Sequence, residues 1–540
     1  MTRRPTPRTS RPPAQRAGRS RARCALRGLA ALFLLTAGAA LAQAPADKTL
    51  TQAPVDKIYQ HHCASCHGEQ RLGGMGPALL PENLSRLKKP EAARVIRESR
   101  PGVQMPPFKA QLKDEEVAAL VEMIYTPLSP APAWTDADIH LSRVVHHAPG
   151  TLPAAPQFKA DPINLFVVVE AGDHHVTILD GDRLEPIHRF ASRFALHGGP
   201  KFTPDGRYVF FASRDGWISK FDLWNLKTVA EVRAGINTRN AAVSADGKYV
   251  MVANYLPHSL VVLDADLELV KILPAPSRVS AVYDAAPRRS FIAAMKDAPE
   301  LWEISYDPKA EPIAAGLVHD YRLKEGAFVP GFLNPRRTPL EDVLDDFFFT
   351  PDFRQLVGAS RDGKRGQVVH LDVRRAIATV DLPGLPHLGS GISWERQGRR
   401  VMATPNLREG IVSVIDVADW KLVAQVRTLG AGFFLRSHEN SRYVWVDSMI
   451  GPKGRDTLQV IDKDSLEVVA QLTPVPGKTL AHIEFDRYGR YALASLWEDD
   501  GALIVFDAKT LKEVKRIPMR KPVGKYNVHN KITRSEGTSR

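Results

Sequence analysis

A chain of 540 residues exceeds what one hydrophobic core usually spans, so at least two domains are expected. Its net charge of +13 would suit a polyanionic partner, but Arg3, Arg4, Arg8, Arg11, Arg16, Arg19, Arg21, Arg23 and Arg27 crowd one acid-free leading segment, and without them the surplus is about +4, too little to argue for a nucleic-acid partner. Of three cysteines one, Cys24, lies in that segment, which excludes a disulfide-stapled scaffold.

Residues 1–42 read as an export signal: a basic run, an apolar stretch from Leu29 to Leu41, and Ala40-Leu41-Ala42 as a cleavage site. The apolar stretch is shorter than the roughly 20 residues of a spanning helix. A periplasmic mature chain without a membrane span is expected.

Residues 43–126 have the pattern of a small all-α domain. One helix leads into Cys63, residues 90–100 form another, and residues 113–124 close the domain with Val117, Leu120, Val121 and Ile124 at helical spacing. Cys63-Ala64-Ser65-Cys66-His67 places two thiols to add across the vinyl groups of a haem while His67 takes its iron from one face. A zinc site would need two more ligands, and a thioredoxin-like pair would need an α/β setting. One covalent haem c is therefore expected. Met75, Met105 and Met123 are candidates for the second axial ligand. Met105 is preferred, because it stands in an extended stretch before the last helix, where class I cytochromes place their methionine; Met123 reads as core packing.

Residues 127–160, punctuated by prolines and carrying the His146-His147 pair, read as a linker. Residues 161–533 then repeat a unit of two apolar strands around a polar turn, with a spacing mostly in the low forties, and residues 534–540 form a tail. The turns include Pro204-Asp205-Gly206, Ala245-Asp246-Gly247 and Tyr488-Gly489, and the second strand usually ends in aspartate. That period is a four-stranded propeller blade. Seven turns are visible, residues 165–180 resemble an incomplete eighth blade, and residues 525–532 are expected to complete it and close the ring. Residues 310–338 are expected to be an insertion.

With all turns on one rim, the start of each innermost strand lies on the other. His197, Arg239, Asp345, His387 and His482 are thereby expected around one mouth, joined by Arg214, Tyr255, Arg408 and Trp497 from loops that return to it. Arginines suit a ligand rich in carboxylates, and a neutral histidine suits a metal centre. His438 stands beside its turn and is expected on the far rim in a structural role.

This arrangement resembles the cytochrome cd1 family over nearly the whole mature chain. The matching segments include Ala195-Leu196-His197, Ser213-Arg214-Asp215-Gly216, Asn254-Tyr255, Pro386-His387, Ser495-Leu496-Trp497 and Gly524-Lys525-Tyr526-Asn527-Val528. The resemblance implies a non-covalent haem d1 in the propeller mouth, with His197 as its proximal iron ligand, Arg214, Arg239 and Tyr255 on its carboxylates, and Trp497 in the cofactor site. The nitrite reductases of that family use two histidines above the iron, and only His387 has a counterpart here; Asp345 and Asp346 stand near the other position, and His482 replaces a glutamine. A carboxylate repels an anionic substrate and is a poor proton donor at neutral pH. These departures, with Phe434-Leu435-Arg436-Ser437-His438-Glu439-Asn440 and Asp456-Thr457-Leu458-Gln459-Val460-Ile461-Asp462, resemble the NirN-type dihydro-haem d1 dehydrogenase branch.

That resemblance implies an oxidoreductase that binds dihydro-haem d1 and converts a propionate to an acrylate. His387 or His482 would be its base. Electrons would leave through haem c to a soluble cytochrome, and apo nitrite reductase would be a possible recipient of the product. The alternatives are an NO-forming cytochrome cd1 nitrite reductase and a non-catalytic haem d1 carrier.

Overall fold

The computed structural model describes residues 52–85, 87–99, 105–314, 328–360 and 365–533; the export-signal segment and the tail lie outside the described residues. The first folded part is helical, with helices Gln52–His62, Ala64–His67, Pro81–Leu84, Lys89–Glu98 and Asp114–Ile124. Asp114, Glu115 and Glu116 fill the first turn of the last helix, where backbone N–H groups favour negative charge, and the Glu116 carboxylate accepts from Lys113 N at 2.7 Å. Its apolar stripe of Val117, Leu120, Val121 and Ile124 is buried, as the spacing requires. Val117 and Leu120 pack with Tyr59, Phe108 and Leu112.

The second part consists of eight four-stranded antiparallel blades, so the architecture is a small all-α cytochrome-like domain followed by an all-β eight-bladed propeller. The recurring aspartate has a local cause. Asp180, Asp222, Asp264, Asp416 and Asp462 each accept from the backbone N–H two residues on, at 2.8 to 2.9 Å, which closes an Asx turn at the end of each third strand. Neighbouring blades touch through their first strands, for example Asn237–Val243 against Val279–Ala285, so these line the axis.

Blade one is shared by the two ends of the propeller: strand Pro522–Asn527 pairs with Leu165–Glu170. The closing strand thus starts three residues before the expected 525, and Val528–Thr533 is a helix instead of its continuation. The expected insertion is also shorter. Pro335–Pro339 is the fourth strand of blade four, and among the described residues before it Ile313–Ala314 pairs antiparallel with Phe328–Val329. Its prolines are tolerated because it is an edge strand that needs few N–H donors.

Residues 127–160, expected as a linker, carry helix Asp136–Ser142 and strand Val144–Val145, which adds a fifth strand to blade two. Thr135 and Asp138 form a capping box there, and Ile139, 1% exposed, is buried among Phe210, Val229 and Val261. No helix among the described residues is long and apolar enough to cross a membrane.

Candidate haem sites

The turn after Gln52–His62 presents Cys63 and Cys66, both half-buried and free, ahead of the buried His67. The His67 Nδ1–H donates to Pro77 O at 2.7 Å, which leaves the lone pair on Nε2, the nitrogen an iron would use. A Cβ on Gly76 would lie 2.7 Å from the His67 ring, so only glycine lets the chain pass so close. Burial, and then Cys66, push the Cys63 thiol up to about 11. Cys63, Met105 and Met123 all pack, half-buried, against the same apolar cluster, and Met75 is 75% exposed. Cys63, Cys66 and His67 fit a covalent haem whose iron His67 would take from one face.

In the propeller, each blade sends one notable side chain toward the axis from its first strand or the approach to it. In blade order they are Tyr526, His197, Arg239, Tyr283, Asp346, His387, Phe434 and His482. The His197 backbone N–H donates to Ala212 O at 2.8 Å, which pins its loop to blade two. Its Nδ1–H donates to Arg239 O at 2.8 Å, so the lone pair lies on Nε2, against which Arg214 Nη2 rests at 2.7 Å. A nitrogen with its lone pair presented and a guanidinium beside it suits both an iron and a carboxylate of the same ligand.

Burial would lower the Arg239 guanidinium, but the Tyr255 and Tyr283 phenols and the Asp346 and Asp345 carboxylates beside it hold it above its ordinary range. Tyr283 Oη donates to Asp346 at 2.9 Å, and Asp346 also accepts from Gly389 N at 2.6 Å. Asp345 is ion-paired with Lys296, whose ammonium stands 5.9 Å from the Tyr255 ring centre.

His387 donates from Nδ1 to Phe433 O at 2.6 Å, with its ring 4.1 Å from that of Phe433. Burial pushes it below the usual histidine range, against the pull of Asp346. Phe434 continues the aromatic wall to His482 at 4.5 Å and Trp497 at 6.3 Å, and His482 meets Tyr526 at 5.2 Å.

His482 was expected to line an open mouth, yet its ring is 0% exposed, closed between Phe434 and Tyr526. Burial, then the Lys525, Arg436 and Lys531 cations, hold it well below the usual histidine range. Lys525 Nζ lies 3.4 Å from His482 Nδ1 and donates to Ser495 Oγ at 2.8 Å, and burial holds this amine well below its own range. His482 Nε2 and Trp497 Nε1 are buried without a hydrogen-bond partner among the described residues. Buried polar atoms of this kind normally have partners, so two orphans on one aromatic wall point to a ligand that satisfies them.

Arg408 is exposed and takes no part in these contacts. His438 is fully buried beside the Tyr488-Gly489 turn, where its Nδ1 accepts from Asn440 N at 3.1 Å. His146 pairs with Glu231 at 3.2 Å on the outside of blade two. Tyr283, Phe433, Phe434 and Tyr526 were not foreseen. The register that named the histidines and arginines reaches them as well, but aromatic residues at strand starts carry no chemical signal apart from core packing.

Residues 160–326 and 331–531 match the Cytochrome D1 heme domain family, and residues 51–124 match the family of cytochrome C oxidase, cbb3-type, subunit III. The chain is 54% identical over 519 residues to a dihydro-heme d1 dehydrogenase of Pseudomonas aeruginosa, covering 95% of this chain and 99% of that protein. It is 26% identical to a nitrite reductase of Stutzerimonas stutzeri, over 93% of this chain and 97% of the reductase. The solved structure described as dihydro-heme d1 dehydrogenase NirN in complex with DHE superposes with a TM-score of 0.83 at 54% identity, over 89% of this chain and 100% of that one. The chain belongs to the cytochrome cd1 family, in its dihydro-haem d1 dehydrogenase branch.

Proposed function

We propose that this chain is a periplasmic dehydrogenase that binds dihydro-haem d1 in the propeller mouth and removes two hydrogens from one propionate, leaving an acrylate. Two C–H bonds break and one C=C bond forms. The two protons pass to side-chain bases and water, and the two electrons leave singly for an external acceptor such as a soluble cytochrome. A haem c held by Cys63, Cys66, His67 and Met105 would supply one-electron relay chemistry.

His197 Nε2 holds the substrate iron, and Arg214, Arg239 and Tyr255 bind its carboxylates, with Trp497 Nε1 as a further donor. His482 is the base. The observation that carries this reading is its orphaned, buried Nε2, on a ring that burial holds well below the usual histidine range and that stands 5.2 Å from the Tyr526 ring, whose phenol burial pushes up to about 12. His387, held neutral in the same way, is the second proton acceptor on the opposite side of Phe434.

The test is anoxic incubation of the purified holoprotein with dihydro-haem d1 and a one-electron acceptor. Mass spectrometry should show loss of two hydrogens from the tetrapyrrole. An unchanged tetrapyrrole that passes to apo nitrite reductase would make the protein a carrier, and steady nitric oxide formation from nitrite would make it a reductase. The Asp345–Lys296 ion pair, in place of a second protonating histidine, argues against the reductase.

A further inference from the structure

Arg233 ends the fourth strand of blade two and is 5% exposed, yet it takes no part in the mouth. Its guanidinium joins three parts of the chain. One Nη2–H donates to Leu72 O, in the loop that follows the Cys63–His67 motif. Nε donates to Asp215 O at 2.9 Å, in the loop that carries Arg214. Its plane stands 4.5 Å from the Trp134 ring centre, and the Trp134 indole N–H in turn donates to Arg233 O at 2.8 Å. The approach is specific: a Cβ on Gly73 would lie 3.0 Å from Arg233 Nη2.

These bonds extend at both ends. Gly73 N donates to His67 O at 2.8 Å, so the Leu72 carbonyl is one residue removed from a hydrogen bond to the haem-motif histidine. Asp215 is bonded in sequence to Arg214, whose guanidinium rests on His197 Nε2. A continuous run of covalent and hydrogen bonds therefore leads from His67 through Gly73, Leu72, Arg233 and Asp215 to Arg214, the side chain that would hold a carboxylate of the tetrapyrrole once an iron takes the His197 Nε2 lone pair. The guanidinium is buried with two backbone carbonyls as its hydrogen-bond partners, and the nearby Asp215 carboxylate and the Trp134 ring face its charge, an arrangement that fixes its position.

We infer that Arg233 is the positioning residue that fixes the distance between the two tetrapyrrole sites and forms the bonded bridge for electrons passing between them. The inference rests on the binding of tetrapyrroles at both sites and not on the dehydrogenation itself. It is tested on holoprotein loaded with haem d1, in which haem c is reduced by a pulse of a one-electron reductant and the arrival of the electron at haem d1 is followed by absorbance. R233M keeps the apolar stem and removes both hydrogen bonds; it should slow this transfer by about tenfold or more, because small misplacements of reacting partners cost orders of magnitude in rate. Haem d1 affinity and the haem c potential should stay at their wild-type values. R233K, which reaches one carbonyl at a time, should lie between and serves if R233M does not fold. Wild-type transfer rates in both variants overturn the bridge, as does a wild-type protein that takes up no haem d1. Failure of dihydro-haem d1 to lose hydrogens, with interhaem transfer intact and sensitive to Arg233, would overturn the enzymatic reading alone.

Discussion

An imidazole can hold iron or take a proton only with a nitrogen whose lone pair is presented, and the three histidines of the mouth achieve this with different partners. His197 and His387 each donate Nδ1–H to a carbonyl of the neighbouring blade, and His482 leaves Nε2 without a partner among the described residues. Replacing His197 with alanine should weaken tetrapyrrole binding by more than about a hundredfold, since loss of even an outer partner of a metal ligand costs about 10–100-fold; titration of the d1 absorption bands checks this, with the haem c bands unchanged. Replacing His482 with glutamine should lower kcat by about 10²–10⁴-fold with little change in substrate binding. The pH dependence separates the two. A base works deprotonated, so protonation removes activity as pH falls, and a group held well below 6.5 places that acid limb below 6.5. Turnover should be level from neutral pH down to that point in the wild type. H482Q should lose the limb, whereas an unchanged limb in H482Q would assign the titration to another group.

The blades were legible in the sequence because most repeat one physical device, an aspartate that closes an Asx turn after an apolar strand. Asp222 shows how much hangs on it: wholly buried, it accepts from Trp224 N at 2.9 Å, Asn225 N at 3.2 Å and Arg207 Nη2 at 2.8 Å. Asp222→Ala leaves those donors and a partly buried cation unpaired, a loss of about 3 kcal/mol or more, to be read as a lower thermal unfolding midpoint. Elements without the device were misjudged. Pro335–Pro339 was hidden by prolines that an edge strand tolerates, and helix Asp136–Ser142 by the prolines before it, although its Thr135/Asp138 capping box was there to be read. The register around the axis was legible wherever a strand began with histidine or arginine. Where it reached Tyr283 or Phe434, contacts with the side chains of neighbouring blades rather than residue type mark the site, and those contacts are a property of the closed ring that no local stretch of sequence carries.

At the scale of the molecule, the cytochrome-like domain meets the propeller through a small apolar cluster in which Ala78 and Leu80 pack against Ile236 and Leu256, all buried, with Leu72, Leu128 and Trp134 at its margin. Asn83 Nδ2 donates to Ile236 O at 3.1 Å, so one loop of blade two supplies both the apolar and the polar contact. The patch is small beside the cores it joins. Ile236→Asp would place a carboxylate among these apolar side chains, where its desolvation costs several kcal/mol. Separating the domains hydrates that carboxylate and leaves both cores intact, so separation rather than unfolding should follow. Small-angle scattering should show a larger radius of gyration, while haem c absorption and tetrapyrrole binding by the propeller persist. Electron transfer between the two sites should then fall further than in R233M, because the whole bonded run is parted and not one residue of it. A variant that keeps the wild-type radius and transfer rate would show that the domains are held by contacts outside this cluster.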